Sequence, residues 1–268
     1  MDRRQFLATT ASCGFGLSVS MIQAGAAQTA QSSVASQPLR RLAPPESGLI
    51  SVACAISKGT TEIDYVGPQA VFETWYRDPV THKPAPRFKI FTVSESLDAV
   101  DGRIADYTFD TVPHPHIVIV PAQSGSPALH AWLKKVYTTT DVTMSVCVGA
   151  RHLASAGLLT GKQATTHHEA IAAFEKEFPD VYWVRGVRFV ETDKISTGGG
   201  LTAGIDLALH VVERYFGREA AEGVAEHLEY EGKHWMTSCN ATPRNLPPPR
   251  RVPCIKAIFR LSELAKLL

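Results

Sequence analysis

The stretch TMSVCVGARHLASAGLL, residues 143–159, places a single cysteine where one chain pattern gives way to another. Apolar and β-branched residues precede Cys147, as in a buried strand, and a helical pattern follows Gly149. In an open α/β sheet, such a strand–turn–helix corner lies over the carboxyl ends of the strands, where ligands bind. The helix N-terminus offers free N–H groups and a partial positive charge, and both favour the reactive thiolate. The pattern therefore predicts a nucleophilic Cys147 with a pKa well below that of an ordinary thiol, and a merely buried cysteine is the alternative.

Strand and helix patterns alternate along the rest of the chain. The runs typical of buried strands are LISVACAI (49–56), RFKIFTV (87–93), HIVIVP (116–121) and DVTMSV (141–146). Apolar residues recur at helical spacing in IDYVGPQAVFETWYRD (63–78), SPALHAWLKKVYT (126–138), LTAGIDLALHVVERYFG (201–217) and EAAEGVAEHLEYEG (219–232). This alternation predicts an α/β fold, a single three-layer α/β/α sandwich around a mostly parallel, flavodoxin-like sheet. Asp101-Gly102, between two short β-like runs, predicts a hairpin turn.

The sequence gives no support for a nucleotide cofactor or a metal site. A G-x-G-x-x-G fingerprint is absent, and STGGG (196–200) lacks the lysine of a phosphate-binding loop. These glycines instead favour a close approach of backbone near the pocket. No C-x-x-C pair and no His/Cys cluster has the spacing of metal ligands. We therefore expect neither a cofactor nor a metal.

The first 26 residues are typical of an export signal. Arg3 and Arg4 precede a moderately apolar stretch that ends in the small residues AGA (24–26), and the arginine pair indicates the twin-arginine class and a periplasmic protein. A membrane anchor is the alternative, although Gly, Ser and Thr dilute the stretch. Removing residues 1–26 takes away two arginines and one aspartate, so the net charge falls from +1 to 0. A neutral chain has no electrostatic case for binding nucleic acid, and we expect no membrane association of the mature protein.

Composition divides the remaining chain into three parts. A polar, proline-rich linker is predicted over residues 27–47, the α/β domain over 48–235, and a proline-rich basic extension over 236–268. Cys54 lies inside a strand pattern and is predicted to be a core residue. Cys239 and Cys254 in the extension could form a disulfide, because export leads to an oxidising compartment.

Three separated blocks resemble a known group of proteins. They are EIDYVGPQAVFE (62–73), SVCVGARHLASAGLLTGKQATTHH (145–168) and STGGGLTAGIDLALHVVERYFG (196–217). In this order they are similar to the ThiJ/PfpI superfamily, which has the class I glutamine amidotransferase-like fold, and most of all to its isonitrile hydratase branch. The resemblance spans about residues 48–235 and implies a homodimer that acts on a small molecule.

The resemblance also implies roles for individual residues. Cys147 would be the nucleophile, Asp64 the carboxyl group that faces it from the end of the first strand, and His167 a neighbour of the pocket. The backbone N–H of Val148 would be one oxyanion donor. Further positions implied at the pocket are Ala122, Gln123, Gly199 and Thr202. Asp64 could instead cap the helix that it opens, and His167 could be an ordinary loop histidine.

Two departures from the family pattern leave the reaction open. Isonitrile hydratases carry Thr directly after the cysteine, where this chain has Val148, and the family's Pro-Gly-Gly is Pro121-Ala122-Gln123 here. We expect a cysteine-dependent hydro-lyase or hydrolase that acts on a small C–N or carbonyl compound. The alternative is a non-enzymatic periplasmic thiol sensor or small-ligand-binding domain, as in regulators that place a DNA-binding region after this domain.

Overall fold

The computed structural model describes residues 41–46, 48–74, 76–77, 84–85, 87–192 and 194–237. The strands are β1 Ile50–Ala55, β2 Tyr76–Arg77, β3 Pro84–Ala85, β4 Phe88–Ser94, β5 Tyr107–Thr108, β6 Ile117–Val120, β7 Val142–Ser145, β8 Gln163–Ala164, β9 Tyr182–Trp183, β10 Phe189–Thr192 and β11 Ile195–Gly198. The α-helices are α1 Ile63–Glu73, α2 Pro127–Tyr137, α3 Ala150–Ser155, α4 Ile171–Glu177, α5 Ala203–Phe216 and α6 Arg218–His227. Two 3₁₀ turns cover Cys147–Gly149 and His234–Met236. None of the described helices is long and apolar enough to cross a membrane.

Seven strands form the main sheet, in the order β10-β11-β7-β6-β1-β4-β5. All neighbouring pairs are parallel except β10 and β11, which form an antiparallel hairpin at one edge. The predicted mostly parallel α/β architecture is therefore confirmed. Strands β1, β6 and β7 lie side by side at the centre, so the segments that follow them meet at one edge of the sheet.

Helices cover both faces of the sheet because successive residues of each strand point to opposite sides. In β1, Val52 and Cys54 pack in the core under α1, α5 and α6, whereas Ala53 and Ala55 pack in a second core with α2 and α3. All four side chains are fully buried, which explains the continuous apolar run. Cys54 is the core residue that the strand pattern predicted.

Two glycines allow α1 and α5 to approach closely. A Cβ on Gly204 of α5 would lie 3.0 Å from Val146 Cγ2 and 3.1 Å from Pro68 Cγ, and one on Gly67 of α1 would lie 3.1 Å from Ile205 Cγ1. The start of α5 therefore packs against both α1 and the residue that precedes Cys147.

A buried ion pair joins α5 to the edge hairpin. His210 Nε2 lies 2.6 Å from Glu191 Oε2, and His210 Nδ1 lies 3.0 Å from the Trp235 carbonyl oxygen. Burial lowers the pKa of His210, but the hydrogen bond and charge of Glu191 outweigh it and raise that pKa above its ordinary value. The protonated imidazole can donate to both partners, so it ties the 234–236 turn to α5.

Some local expectations need adjustment. Leu42, in the segment predicted as a linker, is buried, and its N–H donates to the Arg214 carbonyl, so the core includes residues before position 48. Asp101 and Gly102 have φ values of 50° and 81°, as a tight hairpin turn requires, but only one β-bridge, between Val100 and Arg103, flanks them. The predicted export signal, Cys239, Cys254 and nearly all of the C-terminal extension lie outside the described residues.

Candidate active site

Cys147 occupies a strained corner between β7 and α3. Val146 is extended, Cys147 has a φ of 57°, and the 3₁₀ turn that it begins leads directly into α3. A positive φ is unfavourable for a residue with a side chain and persists only where the surroundings enforce it. Here the Cys147 N–H donates to the Gly199 carbonyl at 2.7 Å, and Thr166 Oγ1 donates to the Cys147 carbonyl at 2.8 Å.

Gly149 makes this corner possible. A Cβ at Gly149 would lie 2.1 Å from the Val120 carbonyl oxygen and 2.8 Å from that of Pro121. Only glycine allows the turn to pass so close to the end of β6.

Among the described residues, the backbone N–H groups of Val148 and Leu201 act as hydrogen-bond donors to the Cys147 sulfur. The N–H of Val148 was predicted as an oxyanion donor, and no bond from Val148 or Leu201 to the sulfur was predicted. Leu201 follows the three glycines 198–200 and has a φ of 44°, in the left-handed region of the backbone. The run STGGG was the signal for this donor, because it predicted an unusual backbone near the pocket.

Asp64 lies in the first turn of α1. It was expected at the end of the first strand, which is the element before this helix. It is fully buried, and its Oδ2 accepts a 3.0 Å hydrogen bond from the Ala122 N–H. Its Oδ1 is buried without a hydrogen-bond partner among the residues that the structure describes. The carboxyl group therefore does not cap the helix, whose preceding residue is Glu62. Burial raises the pKa of Asp64 to about 6, although the bond from Ala122 opposes this.

The pKa of Cys147 is raised, and the expectation of a strongly acidic thiol is wrong. Burial is the largest cause, and the negative charge of Asp64 is the second, whereas the N–H groups of Val148 and Leu201 act in the opposite direction. A short 3₁₀ turn and two donors do not offset the loss of water around a nearly buried sulfur. The thiol therefore needs a proton acceptor when it reacts, and Asp64 is a carboxyl group close enough to act on its pKa.

His167 lies beside the loop that follows β11. A Cβ on Gly200 would lie 2.7 Å from the His167 ring, and Thr166, one residue earlier, bonds the Cys147 carbonyl. His167 Nδ1 is 3.9 Å from Glu169 Oε2, and the ring centroids of His167 and His168 lie 4.5 Å apart with the two rings tilted by 34°. The structure thus places His167 in packing contact with Gly200 of this loop, and its role at the pocket stays a prediction.

Ala122 and Gln123 lie in the segment that connects β6 to α2. Ala122 supplies the N–H that binds Asp64, and Gln123 Nε2 donates to the Ala55 carbonyl at 3.0 Å. Gln123 Oε1 is buried with no hydrogen-bond partner among the described residues. The side-chain oxygen of Gln123 can therefore accept a hydrogen bond at a position where the family pattern has glycine.

His152 supports the segment that connects β6 to α2. Its Nε2 lies 3.0 Å from the Gln123 carbonyl oxygen, which can only accept, so Nε2 carries the proton and Nδ1 accepts from His130 Nε2 at 3.1 Å. Its ring lies so close to Gly125, which has a φ of 67°, that a Cβ there would be 2.3 Å from His152 Cε1. Burial lowers the pKa of His152 to about 4, so the ring is neutral.

Gly199 and Thr202 anchor the loop. The Gly199 carbonyl binds the Cys147 N–H, and the Gly199 N–H donates to the Arg188 carbonyl at 2.8 Å. Thr202 is exposed, and its hydroxyl accepts a 3.1 Å bond from Arg188 Nη2. The structure therefore gives Thr202 an anchoring contact on this loop. Within the described residues, no group of three or more His, Cys, Asp or Glu side chains is placed to hold a metal ion.

Known proteins are similar to this chain over much of its length. The profile of the DJ-1/PfpI family matches residues 50–214. The isonitrile hydratase of Pseudomonas putida is 33% identical over 130 residues, which cover 46% of this chain and 55% of that enzyme. The HTH-type transcriptional regulator CdhR of Pseudomonas aeruginosa is 35% identical over 108 residues, 40% of this chain and 32% of the regulator. The chain thus spans about a third to just over half of the length of these curated relatives.

A solved structure shares the fold over most of the chain. The crystal structure of a ThiJ/PfpI family protein from Pseudomonas syringae has a TM-score of 0.58 and 26% identity, and the match covers 75% of this chain and 85% of that one.

Proposed function

Because this chain belongs to the DJ-1/PfpI family, we propose that it is a cysteine-dependent hydro-lyase or hydrolase for a small C–N or carbonyl compound, with isonitrile hydration as the nearest reaction. One observation carries the proposal. Asp64 has a buried oxygen without a partner among the described residues and lies close enough to raise the pKa of the Cys147 thiol. A carboxyl group with a pKa of about 6 is a suitable general acid and base near neutral pH.

Cys147 and Asp64 divide the chemistry between them. With an isonitrile R–N≡C, the sulfur bonds to the terminal carbon, while Asp64 accepts the thiol proton and delivers it to that carbon to give a thioimidate. Water then adds to the same carbon, and one of its protons passes through Asp64 to the nitrogen. The C–S bond breaks as the carbonyl forms, the hydroxyl proton returns to the sulfur, and the product is an N-substituted formamide.

The two backbone donors support the attacking atom. The N–H groups of Val148 and Leu201 stabilise negative charge on the sulfur when its proton leaves. A 2-oxoaldehyde presents an electrophilic carbonyl carbon to the same thiol and is the second substrate class that fits.

Turnover by the reduced protein tests this proposal. Purified protein kept in a thiol reductant is incubated with an alkyl isonitrile or a 2-oxoaldehyde, and formamide or hydroxy acid is measured by chromatography. We expect product with the unchanged protein and with the control Cys54→Ala, and none with Cys147→Ser or Asp64→Asn. Val148→Thr is expected to raise isonitrile turnover, because it restores the hydroxyl of the hydratase pattern.

A ligand-binding domain is the second candidate, because CdhR, which is similar to this chain, is a transcriptional regulator. The raised pKa of Cys147 argues against a fast peroxide sensor, since the thiolate is the form that oxidises. Absence of turnover on both substrate classes, together with a ligand-induced rise in Tm, would favour binding without catalysis.

We also propose that the protein is exported to the periplasm through its twin-arginine-type signal. Replacing Arg3 and Arg4 by Lys is expected to retain the precursor in the cytoplasm, whereas the unchanged chain yields a periplasmic form that begins near Ala27. Cell fractionation with N-terminal sequencing measures both outcomes, and an intact N-terminus on the periplasmic protein would contradict cleavage.

A further inference from the structure

The loop of residues 199–202, here called the glycine loop, holds two groups against Cys147. The Gly199 carbonyl accepts the Cys147 N–H, and the Leu201 N–H donates to the sulfur. Leu201 is 42% exposed, and its backbone is strained, with a φ of 44°. Its own side chain therefore does little to fix the position of its N–H, so other contacts must hold the loop.

Arg188 bonds both ends of the glycine loop. At one end its carbonyl accepts the Gly199 N–H at 2.8 Å. At the other end its guanidinium Nη2 donates to Thr202 Oγ1 at 3.1 Å. Between these bonds lie Gly200 and Leu201, whose carbonyl groups accept the N–H groups of Ala203 and Gly204 at the start of α5 at 3.0 and 3.1 Å.

Asp206 holds the guanidinium in place. Its Oδ2 accepts from Arg188 Nε at 2.7 Å and lies 2.6 Å from Nη2, and the aspartate is fully buried in the first turn of α5. Burial raises the pKa of the nearby Tyr230, and Asp206 raises it further whereas Arg188 lowers it. A planar guanidinium can bind the carboxylate through two nitrogens and still donate to a hydroxyl, whereas an ammonium group lacks this fixed fork.

We propose that Arg188 is a positioning residue for Cys147, one that holds the glycine loop so that the Leu201 N–H points at the sulfur. This role concerns the site of the proposed function, but it governs the thiol itself and does not depend on which substrate is turned over. Without the clamp, the loop relaxes from the strained backbone at Leu201, the sulfur loses one of its two donors, and the thiolate becomes less stable.

Alkylation of Cys147 across a range of pH tests the inference. The full chain is treated with iodoacetamide between pH 6 and 10, and mass spectrometry of the Cys147 peptide gives the rate. Two variants weaken the clamp: Arg188→Lys keeps the charge beside Asp206, and Thr202→Val removes an exposed hydroxyl with little risk to folding. The control is Arg185→Gln, which breaks an exposed ion pair with Glu175 of α4.

We expect the apparent pKa of Cys147 to rise in both clamp variants and the alkylation rate at pH 7 to fall roughly threefold to tenfold, as loss of one hydrogen bond predicts. Arg185→Gln should leave the profile unchanged. An unchanged profile in Thr202→Val and Arg188→Lys, even with a lower Tm, would show that Arg188 is merely structural and overturn the inference. If the profile shifts but no variant turns over isonitriles or 2-oxoaldehydes, the inference stands and the proposed enzymatic function fails.

Discussion

Ala122 and Asp64 are joined by a single hydrogen bond, in which the Ala122 N–H donates to Oδ2 at 3.0 Å, while Oδ1 of the same carboxyl group is buried without a partner in the described part of the chain. One bond does not compensate the loss of water around a carboxylate, so burial raises the pKa of Asp64 to about 6. The group is therefore poised to exchange a proton near neutral pH.

The first prediction concerns the charge that Asp64 places beside the thiol. Burial raises the pKa of Cys147, and above about pH 6 the ionised Asp64 raises it further, so Asp64→Asn should lower that pKa and accelerate alkylation at pH 8. Below that pH the wild-type carboxyl group is protonated, and the two profiles should converge. Iodoacetamide rates against pH measure this, with Asp98→Asn on the exposed surface as control. Equal rates for Asp64→Asn and wild type at pH 8 would contradict it.

The second prediction concerns stability at the same residue. The folded pKa of Asp64 is raised from 3.8 to about 6, so the folded state binds the carboxyl proton more tightly than the unfolded chain does. Stability is therefore intact below pH 3.8 and lost as the pH rises through about 6. Asp64→Asn avoids this loss and should increase the free energy of unfolding at pH 8 by up to about 3 kcal/mol, while abolishing turnover. Urea denaturation at pH 4 and pH 8 measures the difference, which should vanish at the lower pH.

The third prediction compares the effect of alanine substitution at two glycines, Gly149 and Gly223, on stability. In Gly149→Ala the new methyl group would meet the carbonyl oxygens of Val120 and Pro121, so we expect a loss of stability of more than about 3 kcal/mol or failure to fold. A Cβ added at Gly223 in α6 would meet no atom within 4 Å, and Gly223→Ala should stabilise the helix by about 0.5–1 kcal/mol. Thermal unfolding of both variants provides the comparison. A stable Gly149→Ala protein with a reactive Cys147 would show that the corner has room for a side chain.

The fourth prediction concerns the acid limit of stability. The folded pKa of His152 is depressed to about 4, so the unfolded chain takes up a proton first, and the stability present above pH 6.5 is lost as the pH falls toward 4. His152→Gln removes this titration and should flatten the difference in unfolding free energy between pH 7 and pH 5 by up to about 2 kcal/mol. His227→Gln, an exposed position in α6, is the matched control. Urea denaturation that shows the same pH dependence in wild type and His152→Gln would exclude this role.

Much of the candidate site could be predicted because its information is local. A strand pattern, a cysteine and Gly149 within seven residues predict the corner, and the structure places Cys147 there with the strained backbone that such a turn imposes. Periodicity likewise predicted the buried strands and the helices on both faces of the sheet. Each of these features depends on neighbouring residues and on the two repeating geometries of the backbone.

The contacts that set the chemistry join residues far apart in the chain, and these the sequence did not reveal. Arg188 reaches Thr202 and Asp206, His152 reaches Gln123, and Leu201 reaches the sulfur of Cys147. No periodicity encodes such pairs, since they arise only when the sheet brings the ends of its strands together.

The pKa of Cys147 likewise depends partly on local sequence and partly on tertiary structure. The sequence alone predicted that Cys147 directly precedes a helix, an arrangement that favours the thiolate. The folded chain sets how much water the sulfur loses and brings Asp64 beside it, and these two effects reverse the direction of the pKa shift. Desolvation and Coulomb energies depend on distances in three dimensions, whereas the sequence specifies order along the chain.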